Sequence, residues 1–351
     1  MFLAWFLISF FVSLCMTFLV ILVMKKNNIL DKASKKTRKI HKKDIPLGGG
    51  LAIFISCFLI ILFIVLSKNY YFYINVLPKQ LFALFLGSLV LMIGGFLDDK
   101  YDLKPKKQII FPILASLIII VFGIGPHNIT NPFGGFINLS NISFSIFSLG
   151  NFVVLADLLV FSWLMLIMYS TKFLDGLDGL TTSIVFIGSL VIFFLSLQEK
   201  WFDKDVAMLA IVFAGSCLGF LVWNFNPAKI FLGEGGSLFL GFFLGVLAII
   251  SGGKIATTML VMAIPIIDVL RVVIIRIKNK KPIYKADNEH IHYKLLKRGY
   301  SQKQVLFILC VLSFLFGINA LYMQTSGRFF MFVCLVFLML VTLFLDKLKK
   351  V

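Results

Sequence analysis

The chain has 351 residues, 60% of them hydrophobic, with a mean hydropathy of +1.00 and a formal net charge of +18. An apolar share above the roughly 45–50% of globular proteins excludes a soluble domain and predicts an all-α integral membrane protein. The basic residues sit in short loops between apolar runs, which excludes a nucleic-acid-binding domain, and the five cysteines lie singly inside apolar runs, which excludes a disulfide framework or a zinc site.

Runs of roughly 17–25 apolar residues cross a bilayer as helices. Eleven are predicted, at 2–24, 48–66, 80–97, 108–124, 152–170, 180–198, 205–223, 233–250, 255–276, 304–323 and 328–346. The first has no basic residues ahead of it and no small-residue cleavage pattern, so it is expected to stay as a helix and not to act as a signal peptide. Placing loop 25–47 in the cytoplasm puts 27 of the 34 Lys and Arg on that side. Six (Lys68, Lys79, Lys200, Lys204, Lys254, Arg328) fall opposite, and Arg271 lies within a span. The bias predicts an N-terminus outside and a C-terminus inside. Loop 125–150 carries no Lys or Arg, and its β-prone pieces at 136–139 and 142–147 predict a small outer hairpin. Pro265 should kink or break the ninth helix. With no soluble domain in view, residues 1–351 are expected to form one polytopic domain.

Acidic residues are scarce, 16 in all, yet five fall at the predicted cytoplasmic ends of spans: Asp98, Asp99, Asp175, Asp178 and Glu234. Charges beside a bilayer are costly unless they have work to do. Asp98-Asp99 precede Lys100-Tyr101-Asp102, and Asp98 and Asp102 would share a face if the helix ran on. Asp175-Gly-Leu-Asp178-Gly joins spans five and six; the two carboxylates share a face if helical, and one of them could cap span six. Asn224, Asn226, Phe231 and Glu234 lie in one run before span eight, where glycines flank Glu234 as in a backbone nest. Phe231 reads equally as a stacking face or as an interfacial aromatic. Asp287-Asn-Glu-His290-Ile-His292 lies in a basic loop suited to a pyrophosphate or sugar; no third or fourth zinc ligand accompanies it. Arg38 to Gly50, with Lys42 and Lys43, joins a basic run to a Gly-rich helix start, a combination suited to an anion. Carboxylates facing basic loops point to Mg²⁺ and phosphate chemistry.

Six of these motifs occur in an order that resembles the polyprenyl-phosphate N-acetylhexosamine-1-phosphate transferases. They are His41 with Pro46-x-Gly48-Gly49, Asp98-Asp99, Asp175-Gly-x-Asp178-Gly-Leu, the Asn224-to-Ser237 run, Pro265-x-x-Asp268, and His290-x-His292 with Leu295 to Gly299. The last is most similar to the undecaprenyl-phosphate GlcNAc-1-phosphate branch. The resemblance covers nearly the whole chain. It implies a UDP-N-acetylhexosamine and a polyprenyl phosphate as substrates, Mg²⁺ (or Mn²⁺ in its place) as cofactor, and a multi-pass protein of the bacterial cytoplasmic membrane with its active site inside. Assembly as a homodimer is left open.

By that resemblance Glu234 is the principal metal ligand, with Asp178 beside it, and Asp98 and Asp99 flank the attacking lipid phosphate. Asp175 and Asp178 line the nucleotide-sugar site, Asn224 and Phe231 lie at the uracil, and His290 and His292 contact diphosphate and sugar. Lys42, Lys43, Lys172, Asn226 and Arg298 complete the expected substrate contacts. The chain departs from the family where Glu234 replaces Asp, Lys172 and Tyr169 replace Asn, and Tyr293 replaces His. The alternatives are a phospho-MurNAc-pentapeptide donor, a lipid or sugar transporter, and a CDP-alcohol phosphotransferase. The last would want a longer Asp-Gly string than follows Asp178, and a transporter would place its carboxylates nearer the midplane.

Overall fold

The computed structural model describes residues 1–32, 43–67, 76–126, 128–131, 134–139, 143–145, 151–252, 254–282 and 289–348. Helices occupy all eleven apolar ranges. They are α1 (Phe2–Lys26), α2 (Gly49–Leu66), α3 (Pro78–Tyr101), α5 (Ile110–Val121), α6 (Val154–Leu174), α7 (Leu180–Ser196), α8 (Lys204–Asn224), α9 (Glu234–Ile250), the pair α10 (Ile255–Val261) and α11 (Ala263–Lys278), α13 (Gln302–Tyr322) and α14 (Thr325–Leu348). Two short helices, α4 (Pro105–Gln108) and α12 (Ile291–Lys297), lie between them. Among the described residues six helices are long and apolar enough to cross a membrane, and a seventh span results if α10 and α11 count as one. The chain is therefore a multi-pass membrane protein.

The ninth predicted helix is broken, as expected, with a 78° bend between α10 and α11. The break falls at Met262 and not at Pro265, which sits in the first turn of α11. Proline is tolerated in a first turn, where its missing N–H would have no intrahelical partner, so the interruption lies just ahead of it.

Two helices form the centre. Every residue of α9 from Gly235 to Ile249 is buried, as is every residue of α8 from Asp205 to Cys217. A helix that is apolar all round belongs inside the bundle. Phe213 of α8 and Phe243 of α9 stack with centroids 4.0 Å apart. Helix α1 packs along α8, while α3 and α6 pack along α9. Their outer faces are apolar and exposed, as at Leu3, Phe11 and Leu22 on α1 or Leu155 and Leu158 on α6. All five cysteines are free; Cys57 and Cys217 are buried, but Cys15 and Cys334 are exposed on apolar helix faces.

In place of the single hairpin expected between 125 and 150 there are two strand pairs: β3 (Asn128–Thr130) with β4 (Phe136–Asn138), and β5 (Ser143–Ser145) with β6 (Asn151–Val153). A third antiparallel pair, β1 (Leu30–Asp31) with β2 (Ile45–Pro46), lies between α1 and α2.

The start of α9 is pinned by glycine. A Cβ on Gly95 of α3 would overlap the backbone of Gly235, and one on Gly50 of α2 would overlap Gly236. Three backbones thus meet at the N-terminus of α9, at a separation that only glycine permits. Gly95→Ala should force α3 from α9 and lower the unfolding free energy by about 1–3 kcal/mol, the usual cost of overpacking. Gly327→Ala in α14, whose added methyl would make only an ordinary contact 3.5 Å from Met323, should be neutral or stabilising. Thermal unfolding in detergent compares the two, and equal melting temperatures would refute this account of the junction.

Candidate active site

Helices of alternating direction bring their sequence-distant ends to one end of the bundle. There an open cavity of about 1390 Å³ is lined by Asp98, Asp99, Asp175, Asp178 and Glu234, together with Lys43, Lys172, Asn224, Asn226 and Phe231. The five carboxylates singled out in the sequence thus share one cleft.

Asp98 and Asp99 lie in the last turn of α3, a position disfavoured by the helix dipole unless other partners compensate. Asp98 is buried, and its Oδ1 accepts from Leu103 N (2.8 Å) and Gln108 Nε2 (3.1 Å). Asp99 lines the same cleft, and its Oδ1 accepts from Glu234 N at 3.1 Å. The carboxylate of one helix therefore caps the N-terminus of another, where its charge is favoured. The chain ends α3 at Tyr101, and Asp102 turns left-handed (φ 51°) as the C-cap, so the helix that would have aligned Asp98 with Asp102 stops short.

Lys172 reaches across from the last turn of α6. Its Nζ lies 2.8 Å from Glu234 Oε2 and 3.1 Å from Gln108 Oε1. Gln108 thus links Asp98 to Lys172, and Lys172 links both to Glu234. The amide is donor on one side and acceptor on the other, which satisfies an anion and a cation at once.

Asp175 and Asp178 do not share a helical face. They lie in the non-helical turn between α6 and α7; Asp175 caps the end of α6, and Gly179 (φ 74°), not an aspartate, precedes α7. Asp178 Oδ2 accepts from Asn226 Nδ2 (2.8 Å) and Ala228 N (3.1 Å). Asn226 Nδ2 also donates to Gln302 Oε1 at 2.6 Å. Asp175 is exposed on the cleft lining.

Asn224 is buried and committed to the fold. Its Oδ1 accepts from Gly179 N (3.1 Å), and its Nδ2 donates to Ile230 O (2.9 Å). It ties the Asp-Gly turn to the segment carrying Phe231. That segment in turn holds the Gly-rich loop: Gly49 N and Gly50 N donate to Phe231 O (2.8 Å) and Leu232 O (2.9 Å). The amides expected to meet an anion at the start of α2 are therefore engaged with backbone. Lys43 is exposed on the cleft lining; Lys42 and His41 lie outside the described residues.

The histidines stand behind the Asp-Gly turn, and Tyr293, not His290 or His292, reaches the cleft lining. His290 Nδ1 is 2.9 Å from Asp268 Oδ2, and Arg271 donates to Asp268 Oδ1 at 2.7 Å and to the carbonyl of Glu289. Asp268 also accepts from Ile291 N, the first amide of α12. The ring of His290 stacks between Phe173 (5.6 Å) and His292 (5.7 Å). His292 is fully buried, and its ring abuts Gly176, where a Cβ would meet Nε2 at 2.5 Å. Arg298 is exposed at the end of α12 and does not line the cleft.

One participant, Gln108, escapes sequence reading. Gln108 stands at the head of an apolar run, and no spacing rule links it to Asp98. Asp268 was read only as part of the Pro265-x-x-Asp268 motif; its pairing with Arg271, an acid and a base three apart inside an apolar run, was a further readable signal.

As for a metal, the donors are hard carboxylate oxygens, the right chemistry for Mg²⁺. Among the described residues no three His, Cys, Asp or Glu side chains converge to cage an ion. The site therefore fits a cation held by one or two carboxylates and by substrate phosphates, the usual manner for Mg²⁺.

The fold and cleft define a multi-pass helical membrane protein that gathers Asp98, Asp99, Asp175, Asp178, Glu234 and Lys172 in one open cleft. The sequence model of glycosyl transferase family 4 matches residues 81–252. A Bacillus subtilis protein named probable undecaprenyl-phosphate N-acetylglucosaminyl 1-phosphate transferase is 30% identical over 348 residues, covering 95% of this chain and 90% of that one. A Mycobacterium leprae decaprenyl-phosphate N-acetylglucosaminephosphotransferase is 27% identical, with 81% of this chain and 74% of its own covered. A Borreliella burgdorferi phospho-N-acetylmuramoyl-pentapeptide-transferase is 30% identical over 345 residues, covering 89% of this chain and 92% of that one. The chain belongs to glycosyl transferase family 4.

Burial, then repulsion from His290, lower the pKa of His292 to about 4. The folded state therefore holds this imidazole neutral, whereas the unfolded chain protonates it near pH 6.5. The stability it contributes is present above pH 6.5 and is lost as pH falls toward 4. The melting temperature should drop between pH 7.5 and 5, and His292→Leu should flatten that slope; an unchanged slope in the variant would assign the acid sensitivity elsewhere.

Proposed function

We propose that the chain transfers N-acetylhexosamine-1-phosphate, GlcNAc-1-phosphate in the leading case, from a UDP-sugar to a polyprenyl phosphate such as undecaprenyl phosphate. What supports this reading is the meeting of Asp98, Asp99, Asp175, Asp178, Lys172 and Glu234 in one open cleft, in a chain whose relatives carry that activity in their names.

An oxygen of the lipid phosphate attacks the β-phosphorus of the UDP-sugar. The bond from that phosphorus to the bridging oxygen breaks, and UMP leaves with the oxygen. One pyrophosphate linkage replaces another, so the reaction needs no ATP. Catalysis of this kind is positioning and charge neutralisation. Asp98 and Asp99 stand beside the attacking phosphate, where either takes its proton or orients it. Asp98 is fixed by Leu103 and Gln108, and Asp99 by the amide of Glu234. Asp178, held by Asn226 and Ala228, borders the donor pocket with Asp175, and Phe231 offers the uracil a face. Lys43 at the rim meets phosphate oxygens. His290 and His292 act through the turn they pack against, keeping the Asp175–Asp178 segment in place. Mg²⁺, when bound by Glu234 and Asp178, supplies charge neutralisation of the diphosphate.

In this reading all eleven helical segments belong to the membrane domain, the N-terminus is outside, and the cleft opens to the cytoplasm of a bacterial cell. The 27-to-6 distribution of Lys and Arg supports that orientation. The similarity to a pentapeptide transferase makes UDP-MurNAc-pentapeptide the second donor to assay.

Purified protein given UDP-GlcNAc, undecaprenyl phosphate and MgCl₂ should release UMP. Folded protein that releases none from any UDP-N-acetylhexosamine or from UDP-MurNAc-pentapeptide would end the proposal. Asp99→Asn and Glu234→Ala should each lower turnover by at least about 10²-fold, the scale of losing one electrostatic contact to the transition state. A near-wild-type rate in either variant removes that residue from the mechanism.

A further inference from the structure

Lys172 occupies an unusual electrostatic position. It is 15% exposed, sits 2.8 Å from Glu234 Oε2, and is joined through Gln108 to Asp98. The cleft lining gathers Asp98, Asp99, Asp175, Asp178 and Glu234 from α3, α9 and the α6–α7 turn, with Asp31, Asp44 and Asp102 also on it, and Lys172 is the lysine paired with Glu234. The other lysines on that lining (Lys25, Lys32, Lys43, Lys229) come from the loops and helix ends around its mouth. An ammonium in contact with a carboxylate in this setting both neutralises it and repels a second cation brought to the same oxygens. The Gln108 amide fixes the lysine from behind, so the ammonium is held in place and is not a swinging surface charge.

We propose that Lys172 is the resident counter-ion of Glu234, competing with a divalent cation for that carboxylate and thereby setting how tightly the substrate-free cleft takes one up. This rests on the reading of Glu234 as a metal-holding group. It assigns Lys172 a tuning role that a simple phosphate contact would not have: cation uptake should be weak without substrate, and the phosphates of an incoming nucleotide sugar should draw Lys172 away from Glu234 and add oxygen ligands at the same time. Nucleotide and cation would then enter together, because each removes what hinders the other.

The experiment measures Mn²⁺ binding to the purified full chain in detergent, by the loss of the free-ion electron paramagnetic resonance signal, with and without UDP. The proteins compared are wild type, Lys172→Gln, Lys172→Arg and Glu234→Gln, each first shown to unfold cooperatively. Without UDP, Lys172→Gln should bind Mn²⁺ about tenfold more tightly than wild type, a change of about 1.4 kcal/mol. Lys172→Arg, which keeps the charge, should remain close to wild type. UDP should tighten Mn²⁺ binding to wild type more than to Lys172→Gln. Equal Mn²⁺ affinity in wild type and Lys172→Gln, with binding abolished in Glu234→Gln, overturns the counter-ion role and leaves the metal reading standing. Weaker UDP binding in Lys172→Gln at unchanged Mn²⁺ affinity also overturns it, in favour of a plain phosphate contact. No Mn²⁺ uptake by wild type or Lys172→Gln, with or without UDP, brings down both the proposal and the metal reading of Glu234.

Discussion

The close approach of α3 and α9 is the constraint on which the rest of the site depends. Gly95 lies against Gly235, and Gly50 against Gly236, so the N-terminus of α9 is gripped by two other backbones. That contact brings the Asp99 carboxylate onto the first amide of α9 and places Glu234 within reach of Lys172. Bulkier residues at those positions would push these backbones apart and shift the carboxylates they carry, and a catalytic arrangement is sensitive to displacements of about 1 Å. The buried length of α9 and its aromatic contacts with α8 then act as a rigid post behind the chemistry.

Like charge gathered at the end of an apolar bundle is costly, and the structure answers with specific partners. Asp98 has a backbone amide and Gln108, Asp99 has a helix N-terminus, Asp178 has Asn226 and a backbone amide, and Glu234 has Lys172. Behind the cleft, Asp268 is held by Arg271 and His290 and in return fixes the first amide of α12. Asp98, Asp99, Asp178 and Glu234 are thus oriented before any ligand arrives. Preorganisation of this sort lets electrostatics act on a transferring phosphoryl group without further rearrangement. The same partners explain why Asn224, read in the sequence as a substrate contact, serves as a strut: its amide has both ends on backbone.

The sequence showed where carboxylates stood relative to apolar runs, because burial of charge is so unfavourable that their positions are informative by themselves. Asp98, Asp99, Asp175, Asp178 and Glu234 were legible on that ground, and they do line one cleft. The form of the Asp175–Asp178 turn was not legible, since a spacing of three fits a helix and a turn equally. The break at Met262 was legible only to within a turn, because proline disturbs the residues before it and not one fixed position. Gln108 was invisible: its importance comes from two partners far from it in sequence or across a helix end.

The helical membrane character, the run of apolar segments and the acidic ends followed from composition and hydropathy, which are additive along the chain and need no knowledge of neighbours. Which carboxylate faces which partner was decided in three dimensions, by glycine contacts between helices, by an amide bridging a cation and an anion, and by a carboxylate capping a helix not its own. Those are pairwise interactions between residues more than a hundred positions apart in the case of Asp99 and Glu234, and a one-dimensional pattern holds no record of such distances.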